Sequence, residues 1–347
     1  MLEAVDGFTA KQLKLDLSAI LASPQPKPGK AVFWQEQNVP FDKAVLNKKL
    51  LETFADAIEN RESASAYLDI RNTDRSVGAS LSGAIAKRYG NQGMVATPLD
   101  IYLQGTAGQS FGVWNAGGVN LTLTGDANDY VGKGMAGGNI VIKPHVGSAF
   151  DSHESTIIGN TCLYGATGGK LFAAGKAGER FAVRNSGALA VVEGAGDNAC
   201  EYMTGGIIAI LGHTGVNFGA GMTGGFAYVL DDTGDFTGRV NPELVEAICL
   251  DTLAIHQEHL RGLIDQHLEL TGSCRAQEIL ADFEQWISKF YLVKPKAADV
   301  RSCWGTKAEA QPSCVFRRSN GGPYEPERIS VYRRAAHRPA QKSRQNP

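Results

Sequence analysis

Gly132-Lys133-Gly134-Met135-Ala136-Gly137-Gly138 and Gly219-Ala220-Gly221-Met222-Thr223-Gly224-Gly225 spell one seven-residue word, G-x-G-M-x-G-G, twice. Each copy runs into an apolar, strand-like stretch, residues 139–142 after the first and 226–230 after the second. A dinucleotide-binding turn also carries G-x-G-x-x-G, but it needs a helix after the glycines and an acidic residue about 20 positions on. Here a strand pattern follows and the word recurs, which argues for a stacked repeat instead.

Related words stand at residues 115–118, 166–169, 185–188 and 203–206. The first glycines of the units are Gly117, Gly137, Gly168, Gly187, Gly205 and Gly224, separated by 20, 31, 19, 18 and 19 residues. Most are doubled, by Gly118, Gly138, Gly169, Gly206 and Gly225. A period near 19 is too short for a helix pair and too long for one hairpin arm. It suits a coil of short strands joined by tight corners, where glycine accepts positive φ without the roughly 1–2 kcal/mol penalty of other residues. Val119, Leu121 and Leu123 alternate with Asn120, Thr122 and Thr124, as one buried face requires. Residues 207–211 and 226–230 are apolar throughout, as expected where both faces are covered. The expected fold is mainly β: a right-handed parallel β-helix from about residue 75 to 235, with α-helices before and after as caps. The repeat glycines are assigned structural roles.

Composition agrees. The 347 residues are 43% hydrophobic and 20% charged, with 41 glycines. No apolar run reaches the roughly 18 residues of a membrane span, and the start lacks the pattern of a secretory signal. The six cysteines show no C-x-x-C pair, so thiols in a reducing compartment are expected rather than a metal or disulfide framework. A cytoplasmic location follows as an expectation. Residues 1–70 divide into a proline-rich linker at 23–29 and a helix over 42–60 with Leu46, Leu50, Phe54 and Ile58 on one stripe. The glycine-repeat coil is assigned to 71–238 and the C-terminal helices to 239–296. One of those helices is expected to start at Asn241-Pro242-Glu243 and another to carry Ala276, Ile279, Phe283, Ile287 and Phe290 on one face.

Candidate chemistry is sparse. His256, His259 and His267 share helical spacing, and a solvated helix face accounts for them more simply than a metal site. His145, Asp151, His153 and Glu154 flank the long interval, in the loop best placed to protrude. Arg71, Asp74 and Arg75 suggest an ion-pair network at the start of the coil. Asp126 and Asp197 are the nearest thing to an acidic pair on one outer face. None of these combines a nucleophile with its base, so no catalytic, cofactor-binding or metal residue is assigned.

The stretches 105–118, 125–138, 158–169 and 201–206 resemble the C-terminal β-helix (GXGXG-motif) domain of the large, alpha subunit of NADPH-dependent glutamate synthase. The resemblance covers residues 1 to about 300. It implies a supporting domain without catalytic residues, within an enzyme of glutamate biosynthesis, nitrogen metabolism and ammonia assimilation. That enzyme converts glutamine, 2-oxoglutarate and NADPH into two glutamates. The glutaminase domain, FMN and iron–sulfur clusters would lie elsewhere in the large subunit, and FAD on a small subunit. The expected partners are those parts, with neither nucleic acid nor membrane. No counterpart of the glutaminase cysteine or the cluster cysteines is present, so no cofactor is expected on this chain.

Beyond about residue 300 the resemblance ends. Residues 301–347 hold 10 Lys+Arg against 3 Asp+Glu, a net of +7, and the first 300 hold 24 against 33, a net of −9. Periodicity also vanishes, so 297–347 is expected to be a disordered, basic, non-family tail. A frameshift near Val300 would explain it and would make the chain a gene fragment. The alternatives are a β-helix subunit of another redox complex, like that of formylmethanofuran dehydrogenase, or a carbohydrate-binding β-helix.

Overall fold

The computed structural model describes residues 45–300 continuously, and also residues 18, 22, 28, 29, 31, 33, 332 and 333. The chain divides into two compact units, 1–42 and 43–347. The linker expected at 23–29 and the tail expected beyond 300 lie almost wholly outside the described residues.

The second unit is a parallel β-solenoid of about seven turns. Helix α1, Val45–Asn60, precedes strand β1, Ala64–Ile70, and helix α2, Ala79–Tyr89, follows it. The coils then supply β2 (Leu99–Ala107), β3 (Val119–Ala127), β4 (Ala136–Lys143), the short β5 (Thr156–Ile158), β6 (Gly168–Ala177), β7 (Ser186–Ala195), β8 (Thr204–Ile210) and β9 (Gly224–Leu230). Successive coil strands pair in parallel, with Leu121 beside both Ile101 and Ile140. The stack ends differently from how it grows. After β10 (Val245–Cys249) come helices α3 (Ala254–Thr271), α4 (Cys274–Ala281) and α5 (Phe283–Ile287), then strand β11 (Phe290–Pro295). Strand β11 pairs antiparallel with β9 and then with β10. At the other end the two-residue strand β12, Tyr332–Arg333, pairs antiparallel with the start of β1.

Two buried clusters follow from the sequence patterns. The coil interior gathers the alternating residues of each strand, such as Leu121, Leu123, Ile140, Leu171 and Val192. The α1 stripe Leu46, Leu50, Phe54 and Ile58 joins this cluster, with Leu81 and Ile85 of α2. A second cluster lies on the outer face of β6–β9, where Phe172, Val191, Ala209, Phe226 and Tyr228 meet Leu260, Ile264, Ile279 and Phe283 of α3–α5. This explains the unbroken apolar runs near 207–211 and 226–230: both faces of those strands are covered. On the outer face of β3, by contrast, Thr122 and Thr124 are half-buried.

Three sequence expectations change. The helices after the repeats pack against the flank of the sheet, while the last coil is closed by strand β11. Asn241-Pro242-Glu243 starts no helix: Asn241 Oδ1 accepts the Glu243 backbone N–H, and residues 245–249 form β10. The apolar face at 276–290 is broken at Asp282, and Phe290 starts a strand. Strand β1 and helix α2 carry no glycine word, so the repeat did not reveal them.

The glycine corners also work differently. The second glycine of a pair has positive φ, as at Gly138 (φ 69°) and Gly225 (φ 72°), but the first glycines do not. Gly137, Gly168, Gly187, Gly205 and Gly224 are instead required by backbone contact between coils, while Gly117 faces the Val95 side chain. A Cβ on Gly224 would lie 2.2 Å from the Thr204 carbonyl oxygen, and one on Gly205 2.4 Å from that of Ser186.

Candidate functional site

Between its strands each coil makes an arc of alternating backbone handedness. Residues with φ near +60° recur at every second position: 110, 112 and 114; 130, 132 and 134; 161, 163 and 165; 180, 182 and 184; 198, 200 and 202; 217, 219 and 221. The middle amide of each trio donates to the coil before, as from Gly132 to Phe111 O and from Cys200 to Phe181 O. The outer amides donate to the coil after, as from Trp114 to Lys133 O and from Tyr202 to Ala220 O. Left-handed residues therefore need not be glycine, and Leu163, Ala182, Arg184 and Cys200 occupy such positions. Gly134 and Gly221 answer a further demand. A Cβ there would meet the Trp114 ring at 2.9 Å or the Tyr202 ring at 2.5 Å. The glycines of the doubled word thus leave room for an aromatic ring from the previous coil to pack against the backbone.

Carboxylates and amides stitch the turn before each arc. Asp129 Oδ1 accepts the Asn160 N–H, Asn160 Oδ1 the Glu179 N–H, and Asp197 Oδ1 the Val216 N–H. The strand register places Asp197 with Asp129, because Ala127, Ile158, Ala177 and Ala195 align. Asp126 instead accepts from the Thr106 hydroxyl, so Asp126 and Asp197 do not form a pair. At the start of the coil Asp74 accepts the Arg71 backbone N–H, and the expected Arg71–Asp74–Arg75 ion-pair network is absent among the described residues.

The histidines are on the buried side of α3, contrary to the expected solvated face. His256 and His267 are fully buried. Tyr228 on β9 lies between His256 Nδ1 (2.8 Å) and His259 Nδ1 (3.0 Å), and His256 Nε2 is 3.0 Å from Val300 O. Burial and the neighbouring His256 push the His259 pKa down to about 4. No group of three or more potential metal ligands occurs among the described residues.

The third histidine belongs to a buried acid cluster that the sequence did not signal. Glu193 on β7 is fully buried, and its carboxylate accepts from Ser152 Oγ (2.7 Å), from the Ser273 hydroxyl, and from His267 Nε2 (3.3 Å). Burial alone would raise this carboxyl. The hydrogen bond and charge of His267, with the two hydroxyls, outweigh it and hold the pKa below the ordinary range. Glutamate, histidine and serine together suggest a hydrolase. However, both hydroxyls bond the carboxylate, and Glu193, His267 and Ser273 are buried, so the geometry describes a clamp. Ser152 brings the insertion, residues 144–155, while Ser273 caps α4 by accepting the Ala276 N–H. The protruding loop therefore acts as one arm of a joint between the coil and its flanking helices, with Val146 and Phe150 exposed at its tip.

The cysteines follow the plain reading. Cys162 and Cys200 are buried free thiols, and burial pushes the first up to about 12 and the second higher still. Cys249 is half-buried and Cys274 exposed. Cys303 and Cys314 lie outside the described residues. No helix among the described residues is long and apolar enough to cross a membrane.

Comparison with known proteins places this architecture. The family described as GXGXG motif matches residues 47–296. Ferredoxin-dependent glutamate synthase 2 of Synechocystis sp. is 48% identical over 292 residues, 84% of this chain and 19% of that protein. The chloroplastic ferredoxin-dependent glutamate synthase of Spinacia oleracea is 47% identical over 302 residues, 86% of this chain and 18% of its own. Glutamate synthase [NADH] of Schizosaccharomyces pombe is 46% identical over 296 residues, covering 85% and 14%. The chain thus spans less than a fifth of the length of these curated relatives. Their names specify ferredoxin or NADH, where the sequence resemblance had pointed to the NADPH form. The chain belongs to the GXGXG-motif family, and the relatives it matches there are glutamate synthases.

Proposed function

We propose that the chain is the structural β-helical part of a glutamate synthase and is inactive by itself. The observation that carries this is the match itself: nearly half of the residues are identical across about 85% of the chain, within less than a fifth of each relative. The internal geometry supports it. The repeat glycines serve backbone contact and ring packing, and the buried Glu193 and His256 groups join layers of the fold. In this reading glutamine and 2-oxoglutarate are handled by other domains of the enzyme, which also hold the flavin and iron–sulfur groups. The partners are those domains, in an assembly devoted to glutamate biosynthesis in the cytoplasm. The glycine pairs are read as structural throughout, and a gene fragment is the simplest account of the change in composition near residue 300.

A segment exchange tests this. Residues 45–300 would replace the matched segment of the Synechocystis enzyme. The expected result is a chimera that binds flavin and forms glutamate from glutamine, whereas deletion of the segment abolishes glutamate formation. A chimera that folds but is no more active than the deletion would refute the assignment.

A further inference from the structure

We infer that the arc face of the solenoid, centred on Trp114 and Tyr202, is the surface against which the remainder of a glutamate synthase polypeptide packs. This inference rests on the function proposed above and adds to it a place on the molecule. The backbone bonds Trp114 N–H to Lys133 O, Gly134 N–H to Tyr164 O and Arg184 N–H to Glu201 O put these positions in adjacent columns along one side of the stack. Coils follow one another at about 4.8 Å, so the side chains form a continuous ladder.

Among the described residues Phe33, Tyr67 and Phe150 are exposed singly elsewhere, whereas the arc gathers several exposed rings on adjacent columns. Phe54, Phe111, Phe172, Phe181, Phe218, Phe226, Tyr228 and Phe290 are all completely buried. On the arc, Trp114 is 64% exposed, Tyr202 53% and Tyr130 36%. Tyr164 is half-buried beside them and Arg184 is exposed. Lys133 lies over both the Tyr130 ring (5.1 Å) and the Tyr164 ring (5.8 Å). Two of these rings, on Trp114 and Tyr202, pack directly against the backbone of a glycine in the next coil, Gly134 and Gly221. Rigid aromatic residues with arginine are the anchors that concentrate binding energy at protein interfaces.

The occupant follows from what is already covered and what is missing. The flank of β6–β9 is occupied by α3–α5. The matched segment is 19% or less of each relative's length, so about four-fifths of such an enzyme remains to be placed around a domain of this kind. Carboxylates interrupt the basic residues, as where Glu201 stands 3.7 Å from Arg180, which disfavours a phosphate backbone as the occupant.

The test is binding of the full chain to the Synechocystis enzyme deprived of its matched segment, measured by interferometry. The wild-type chain should bind, and W114A/Y202A should bind at least tenfold more weakly with an unchanged melting temperature. Arg184→Glu, which removes no packing, should weaken binding several-fold and keeps the test valid if the double variant unfolds. Tyr67→Ser, on the strand face, should bind as the wild type does. No binding by the wild-type chain would defeat the function proposed above and this inference with it. Wild-type affinity in both arc variants would overturn the arc assignment alone. A dimer of the chain that dissociates on the W114A/Y202A change would also overturn it, in favour of a second copy as the occupant.

Discussion

At the residue scale, glycine serves three separate needs, of which the repeat in the sequence shows only the spacing. Positive φ is one, and the solenoid meets it with Leu163, Ala182 or Arg184 as readily as with glycine. Room for the neighbouring coil is the second, and room for a ring is the third. Gly224→Val is therefore expected to cost at least about 3 kcal/mol, since its Cβ would overlap the Thr204 carbonyl, a backbone atom that cannot step aside. Gly238→Ala, with no atom within 4 Å of the added Cβ, is expected to stay within about 0.5 kcal/mol of wild type. Urea unfolding of the two variants checks the contrast, and equal midpoints would refute the steric reading. The spacing was legible because every coil repeats it. The cause was not, because a contact between residues 20 apart leaves no mark in a local pattern.

At the element scale, the buried polar groups hold the layers together. Glu193→Ala removes the acceptor shared by Ser152, Ser273 and His267, and is expected to cost about 3–5 kcal/mol, with Glu193→Gln costing less. Denaturant titration measures both. Increased hydrogen exchange in residues 144–155 of the Gln variant would show that the clamp positions the insertion. The acid limb of stability follows from two shifts of the same sign. His259 has a folded pKa of about 4 against an ordinary 6.5, so the unfolded chain takes up the proton first. Stability is complete above about pH 6.5 and falls as the pH drops toward 4. The lowered Glu193 pKa extends the loss below its ordinary 4.5. His259→Asn should flatten the upper part of this limb in unfolding midpoints taken from pH 7 to 4, and an unaltered slope would contradict the assignment. The histidine spacing on α3 was readable, but the burial was not. A helix with polar residues on several sides does not announce which side faces a sheet, and Tyr228 and Glu193 come from strands far away in sequence.

At the scale of the whole molecule, one parallel stack carries two hydrophobic layers, one inside the coil and one beneath the C-terminal helices. The change from alternating residues in β3 to continuous apolar runs in β8 and β9 disclosed that both faces of the later strands are covered, but not that the C-terminal helices cover them. The sequence did not disclose strand β11, because a six-residue apolar stretch after two helices is compatible with either a strand or a further helical turn. Chemistry was expected elsewhere, and the polar clusters that remain have structural geometry. The most direct measurement is an absorption spectrum and a turnover assay on the purified chain alone, with glutamine, 2-oxoglutarate and, in turn, NADPH, NADH or reduced ferredoxin. No bound flavin and no glutamate above background are expected. A stoichiometric flavin spectrum, or glutamine-dependent turnover by the isolated chain, would contradict it.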